Sequence, residues 1–375
     1  MSGCFAVTAG GTGGHLFPAE ALARELLSLG RAVHLVTDER IDIFGDRVFG
    51  AEVHRLRAAR LTGSPAQAVR GLATLAAGLV QAHRLLRQLS PAAVIGFGGY
   101  PSVPTMLAAV SLGLPTIVHE QNAVLGRANR LLAPRVRLIA TGFPATAGLR
   151  PTDRARAVHT GNPVRPAILA AGAACYRAPE PGRPIELLIL GGSQGARVLS
   201  EVVPPALVGL PTPLRELLRI SQQVRPEDLA TVASAYRGNG ITADLSTFFD
   251  DVPARLARAH LAICRAGAST VAELAAIGRP ALLIPYPHAT DDHQTANARA
   301  FATAGGGWVM PQSSVTPDTL ASRLDRLLAD KGALSTAAQR ASSFGPPDSA
   351  QRLALVALDL EPPAGGYAEL PGCAA

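Results

Sequence analysis

Thr8-Ala9-Gly10-Gly11-Thr12-Gly13-Gly14-His15 decides how this chain is read. The stretch lies between an apolar run at 5–7 and a helix-like segment at 18–29. Its glycines lack the Cβ that would hold a bulky anion away, so backbone N–H groups can come close to one. The helix that follows aims its positive end at the same spot. This turn therefore reads as half of a phosphate-handling site, with His15 the side chain there able to move a proton near neutral pH. Packing alone also produces glycine-rich turns between a strand and a helix. The dinucleotide fingerprint is moreover incomplete, because Leu16 stands where its last glycine belongs, although Asp38 follows the apolar run 32–37 at about the place of a ribose-binding acid. On these residues a nicotinamide-dependent oxidoreductase stays open.

The chain has 375 residues, longer than one typical α/β domain, which predicts two domains that each bury a core. Its 37 glycines and 30 prolines are spread through periodic segments, and only the C-terminal end reads as a flexible tail. Cys4, Cys175, Cys264 and Cys373 lie far apart with no C-x-x-C pair, which argues against a zinc module or a disulfide framework and fits a reducing cytoplasm. The sequence suggests no leader, and its longest apolar runs, such as 72–80, are too short to span a bilayer. A soluble protein, or one lying on a membrane, is expected.

The net charge of +7 is unevenly placed. No acidic residue occurs between Glu52 and Glu120, while Arg55, Arg57, Arg60, Arg70, Arg84 and Arg87 fall in the first part of that gap. Within it, 66–89 carries apolar residues at helical spacing. Such a segment suits an anionic lipid surface or a phosphorylated substrate, and equally a core helix with a solvated basic face. Nucleic acid is disfavoured, since aromatics are 4% of the chain and none interleaves with these arginines.

Strands then alternate with helices, which predicts a parallel sheet with ligands gathered at the carboxyl ends of its strands. A second glycine turn, Gly96-Phe97-Gly98-Gly99-Tyr100-Pro101, and the polar run His119-Glu120-Gln121-Asn122 both fall at such ends. Asn122 and Asn129 offer amide hydrogen bonds toward a sugar, and Glu120 could position a hydroxyl or a catalytic group; helix capping is the alternative for each. Gly161-Asn162-Pro163-Val164-Arg165-Pro166 marks the crossing between domains. A strand at 185–190 then runs into a third turn, Gly191-Gly192-Ser193-Gln194-Gly195-Ala196, and the opening pattern begins again. This repetition predicts an α/β chain of two Rossmann-like domains whose parallel sheets face each other across a cleft, with a nucleotide diphosphate between their helix N-termini. The third turn lacks the Gly-Lys-Ser/Thr ending of a P-loop, so ATP-driven phosphoryl transfer is disfavoured.

Farther on, Ala268, Ser269 and Thr270 open a helix whose Glu273 lies one turn later on about the same face. A carboxylate so placed can accept both hydroxyls of a ribose while the turn's N–H groups meet phosphate, although a capping box would look the same. The loop 286–297 contains His288, Asp291, Asp292 and His293, which resemble a metal cluster in composition but are irregularly spaced. A sugar-binding loop is the expected use. A divalent metal is possible, yet no ligand set in the sequence is convincing, and no cofactor is required.

With the three turns in place, the chain resembles the MurG family of peptidoglycan glycosyltransferases. The motifs are GGTGGHLFP (10–18), GFGGYPS (96–102), HEQNAVLGRANR (119–130), GNPVR (161–165), LGGSQGAR (190–197), FFDDV (248–252), CRAGASTVAELAAIGRPALLIPYPH (264–288) and DDHQTANA (291–298). The resemblance runs from the first strand to about Leu358. It implies a GT-B fold and inverting transfer of N-acetylglucosamine (GlcNAc) from UDP-GlcNAc to the C4 hydroxyl of the N-acetylmuramic acid (MurNAc) sugar on undecaprenyl-pyrophosphate-MurNAc-pentapeptide, at the cytoplasmic face of the membrane. Thr12, Gly13 and Gly14 match donor contacts, Asn122 and Gln294 match positions on the donor sugar, and Arg165 and Ser193 match diphosphate or nucleotide contacts. Phe249 takes the place of the residue whose backbone reads uracil, and Glu273 that of the ribose acid. His15, Tyr100, Glu120 and Asn129 match the acceptor side.

Phe249, Ala266 and His293 depart from the residues usual at their positions, which leaves room for a relative that glycosylates another acceptor. His15 is the expected base, with Glu120 next in line. The resemblance also turns the basic segment around Arg55–Arg87 into an expected contact with anionic lipid. The expected domains are 1–160 (acceptor and membrane), 161–345 (UDP-sugar), a helix at 346–360 returning to the first domain, and a tail at 361–375.

Overall fold

A computed structural model describes residues 3–10, 13–38, 47–58, 65–172, 175–192 and 195–361. Thr12, Arg60, Ser193 and the tail beyond residue 361 lie outside these residues, as does the side chain of Arg70.

The first sheet contains β1 (Phe5–Thr8), β2 (Val33–Asp38), β3 (Arg47–Val48), β4 (Ala51–Leu56), β5 (Ala93–Gly96), β6 (Thr116–Glu120), β7 (Leu138–Thr141) and β8 (Ala157–His159). Its order is β3-β4-β2-β1-β5-β6-β7-β8. All pairs are parallel except β3 with β4, a two-residue antiparallel edge absent from the sequence reading. The second sheet contains β9 (Ile185–Leu190), β10 (Leu218–Gln223), β11 (Thr242–Ser246), β12 (Leu261–Cys264), β13 (Ala281–Leu283) and β14 (Gly307–Val309), in the order β11-β10-β9-β12-β13-β14. The central strands of both sheets are continuous apolar runs because helices cover both faces. Phe5, Val7 and Ile95 enter one core layer of the first domain, while Ala6, Val94 and Val118 enter the layer opposite.

The helices of the first half are α1 (Gly13–Ser28), α2 (Pro65–Leu89), α3 (Ser102–Ser111), α4 (Arg127–Leu132) and α5 (Pro151–Arg154). Those of the second are α6 (Pro166–Ala171), α7 (Arg197–Val208), α8 (Thr212–Arg215), α9 (Leu229–Arg237), α10 (Val252–Arg258), α11 (Ala268–Ile277), α12 (His293–Thr303), α13 (Pro317–Ala329) and α14 (Lys331–Ser342). The last helix, α15 (Ser349–Leu358), packs on α1, and its Leu353, Ala354 and Ala357 join the core of the first domain.

Helix α1 begins at Gly13 rather than at Pro18, so the glycine turn itself supplies the first helical turn. Pro18 lies inside the helix, where its missing N–H leaves the carbonyl four residues earlier without its usual donor.

Candidate active site

Two glycine turns meet in the first domain. The amide of Gly10 donates to the carbonyl of Gly98 at 3.3 Å. Gly98 and Gly99 have φ of +82° and +78°, a region that other residues enter only under strain. A Cβ on Gly99 would lie 3.2 Å from the Cα of Gly10 and 3.4 Å from the His15 ring. His15 is therefore held against both turns at the carboxyl ends of β1 and β5.

A hydrogen-bonded chain fixes which nitrogen of His15 carries its proton. His119 is fully buried, and burial pulls its pKa down to about 4, so it is neutral under ordinary conditions. Its Nε2 lies 3.0 Å from the carbonyl oxygen of Gly161, which can only accept, so Nε2 holds the hydrogen and Nδ1 the lone pair. Gln121 Nε2 donates to that Nδ1 at 3.0 Å and to the His119 carbonyl at 2.8 Å. Both contacts turn Gln121 Oε1 toward His15 Nδ1, 2.9 Å away. His15 Nδ1 must then be the donor, which leaves the lone pair of neutral His15 on Nε2. Sequence reasoning had found His15 but not its dependence on Gln121, His119 and Gly161, whose backbones are 40 or more residues apart in part and meet only through the sheet.

The geometry corrects the expected catalytic role of Glu120. Glu120 is 2% exposed, and both its oxygens are occupied: Oε1 accepts from the N–H and side-chain amide of Asn122, Oε2 from the Gly126 N–H and the Asn129 amide. It organises the loop after β6 and has no oxygen left to take a substrate proton. Asn129 is itself buried, its amide donating to Glu120 and to the His119 carbonyl, while its Oδ1 has no partner in the protein. Asn122 Nδ2 donates to Glu120 and its Oδ1 accepts from Asn297 at 3.1 Å, which leaves one amide hydrogen of this half-buried side chain for a ligand. Tyr100 alone of the expected acceptor-side residues is exposed.

Asn297, which sequence reasoning passed over, latches the two domains. Fully buried, its Oδ1 accepts from the Ala123 amide at 2.8 Å while Nδ2 donates to the Ala266 carbonyl and to Asn122. Nearby, Asp291 lies 3.6 Å from Arg127 and 3.7 Å from Arg130, so this loop acid faces cations of the first domain. His293 Nδ1 lies 2.7 Å from the Thr290 carbonyl. The loop's histidines and aspartates do not converge as metal ligands.

In the second domain, α11 starts after Gly267, which has no capping side chain, leaving the amides of Ala268, Ser269 and Thr270 without intrahelical partners. Arg165, at the N-cap of α6, donates from Nη2 to Glu273 Oε1 at 2.8 Å and stacks over Phe17 of α1, its guanidinium carbon 4.3 Å from the ring centre. Burial raises the Glu273 pKa, while Arg165 pulls the other way. Arg165 Nε and Ser269 Oγ are both buried without a partner in the protein, as polar atoms awaiting a ligand would be. Gln294 Oε1 accepts from the amides of Ala266 and Tyr286, which leaves its Nε2 for a ligand. Phe249 is buried, with the Arg255 guanidinium carbon 3.9 Å from its ring centre, and its loop is pinned by the Arg255–Asp251 pair.

Two Rossmann-like domains, with glycine turns and a helix N-terminus gathered where α1 meets α11, make up a GT-B architecture. The chain belongs to glycosyltransferase family 28: residues 5–141 match the family's N-terminal domain and residues 186–353 its C-terminal domain. It is 57% identical over 348 residues to the UDP-N-acetylglucosamine--N-acetylmuramyl-(pentapeptide) pyrophosphoryl-undecaprenol N-acetylglucosamine transferase of Rhodospirillum centenum, covering 93% of this chain and 92% of that one. The protein of the same name from Paramagnetospirillum magneticum is 55% identical, over 95% of this chain and 96% of that one. Among solved structures, Acinetobacter baumannii MurG is similar with a TM-score of 0.76 and 30% identity, over 95% of this chain and 99% of the other.

Proposed function

We propose that this chain transfers GlcNAc from UDP-GlcNAc to the C4 hydroxyl of MurNAc in undecaprenyl-pyrophosphate-MurNAc-pentapeptide, with inversion at the anomeric carbon. The names of its relatives support the substrates. The observation that carries the mechanism is the chain from Gly161 through His119 and Gln121, which leaves His15 Nε2 able to accept a proton. As the acceptor oxygen attacks the anomeric carbon, its hydrogen passes to His15 Nε2 while the bond to the UDP oxygen breaks. The leaving diphosphate gains charge, and the free amides of α11 together with the Arg165 guanidinium stabilise it. Glu273 accepts the ribose hydroxyls, and Gln294 Nε2 donates to the donor sugar.

Among the described residues no helix is long and apolar enough to cross a membrane. Contact with the cytoplasmic leaflet falls instead to the basic segment. On α2, Ala73, Ala76, Val80, Arg84 and Arg87 are exposed at helical spacing, so apolar and cationic groups share one face, which suits an anionic headgroup layer.

The deciding experiment offers UDP-GlcNAc or UDP-GalNAc to a lipid-linked MurNAc-pentapeptide analogue and to a lipid-free glycoside. Disaccharide formation only with UDP-GlcNAc and the lipid-linked acceptor supports the reading. Transfer to the free glycoside with none to the lipid analogue would replace it with a relative acting on another acceptor.

A further inference from the structure

The search outside the cleft leads to β2 and β4, where His34, Glu52 and His54 form the one cluster among the described residues able to gather metal ligands. We infer that these three side chains bind a divalent transition metal of the zinc type.

Strand periodicity places them together. His34 is the register partner of Glu52, and His54 that of Val36, one step along the same face. Side chains alternate across a sheet, so His34, Glu52 and His54 share a face with Val36 and Leu56, while Val33, Leu35 and Val53 enter the core behind. His34 Nδ1 lies 3.0 Å from His54 Nε2 and 3.4 Å from Glu52 Oε2, and all three ligand atoms fall within 4.8 Å of one another. Zinc bonded at about 2.0–2.1 Å in tetrahedral geometry needs ligand atoms about 3.3 Å apart. Two of the edges already match to a few tenths of an ångström. The third closes by rotation of Glu52, whose side chain is 55% exposed.

The donor set suits the ion. Two imidazoles and a carboxylate are borderline ligands preferred by zinc, cobalt and nickel over magnesium or calcium. Both rings bind as neutral imidazoles, each with its hydrogen on the nitrogen that does not face the metal. Three protein ligands leave a fourth position to water. The ion would tie β4 to β2 near the outer edge of the sheet, and His34 sits toward the amino end of β2, away from the glycine turns at the carboxyl ends. Its effect is therefore on the stability of the first domain rather than on the transfer reaction.

The test uses the full chain, stripped with a chelator and titrated with Co²⁺ while visible absorption is followed, then displaced with Zn²⁺. One equivalent should bind with the intense bands of a four- or five-coordinate ion, and Zn²⁺ should raise the melting temperature. Glu52→Gln, an exposed change that leaves the fold intact, should weaken Co²⁺ binding at least about tenfold, and His34→Asn with His54→Asn should abolish it. Absence of those bands in the wild-type chain, or binding unaltered by Glu52→Gln and by the double substitution, would overturn the inference.

Discussion

Replacing Gln121 by Leu removes the acceptor that keeps the hydrogen on His15 Nδ1 without touching His15 itself. The bond at stake is 2.9 Å long. A hydrogen bond of this kind contributes about 0.5–1.5 kcal/mol net, which at RT of about 0.59 kcal/mol corresponds to a shift of about 2- to 13-fold in the balance between the two imidazole tautomers. Turnover at saturating substrates should fall by up to that factor, with the KM for UDP-GlcNAc little changed. His15→Ala removes the base altogether and should cost about 10²- to 10⁴-fold. Combining the two should cost no more than His15→Ala alone, because Gln121 acts only through His15. Gln121→Glu separates tautomer control from packing: its carboxylate still accepts from His15 but cannot donate to His119, so it should lose stability while keeping most of the turnover. The assay is initial-rate transfer with the lipid-linked acceptor, alongside a melting curve for each variant. Equal losses for Gln121→Leu and Gln121→Glu, or additive losses with His15→Ala, would refute the relay.

His119 makes stability depend on pH, because its folded pKa of about 4 lies below the unfolded 6.5. As pH falls the unfolded chain takes up the proton first, so the stabilisation is complete above the unfolded value and is lost from there down to the folded one. At about pH 5.5 the loss is about 1.4 kcal/mol; the stability gap between wild type and His119→Gln in urea unfolding should narrow by that amount from about pH 7.5, and a constant gap would refute it. Glu273→Ala should weaken UDP binding about 10- to 100-fold by calorimetry through lost charge-assisted bonds to the ribose, whereas inorganic pyrophosphate, which touches the site only through Arg165 and the α11 amides, should change by a smaller factor. Asn297→Ala strands the Ala123 amide and the Ala266 carbonyl, and a loss of about 1–3 kcal/mol in chemical denaturation is expected. Reversing Arg70, Arg84 and Arg87 to Glu should abolish salt-sensitive sedimentation with anionic liposomes; unchanged sedimentation would remove these arginines from the membrane contact.

What the sequence revealed most clearly were the buried parallel strands and glycine turns, since β1, β5, β6, β9 and β12 are apolar runs ending in Gly or polar residues. Strand β10, Leu-Arg-Ile-Ser-Gln-Gln, carries polar side chains at alternate positions, and the antiparallel pair β3–β4 is too short to leave a periodic signal. Helix α14 buries a single large side chain, Leu334, beside Ala337, Ala338 and Ala341, which is too few to mark a helix by periodicity. The candidate site divides in the same way. Residue types singled out His15 and Glu273, and the resemblance Arg165, but a carboxylate looks alike in sequence whether it meets a substrate or, like Glu120, is filled by four donors that follow it in the chain. The same limit hid Asn297, which joins Asn122 and Ala123 of the other domain to Ala266 of its own.

Gly161 has a φ of +78°, and a Cβ there would sit 2.4 Å from Ser349 Oγ and 2.6 Å from the Pro346 ring. The two places where the chain passes between the lobes thus run side by side, like two pins on one edge of a door. If one domain turned against the other, two adjacent connections of this kind would form its pivot, and points on a pivot travel least. The carbonyl that orients His119 belongs to Gly161, so such a turn would leave that imidazole's hydrogen-bond partner nearly in place.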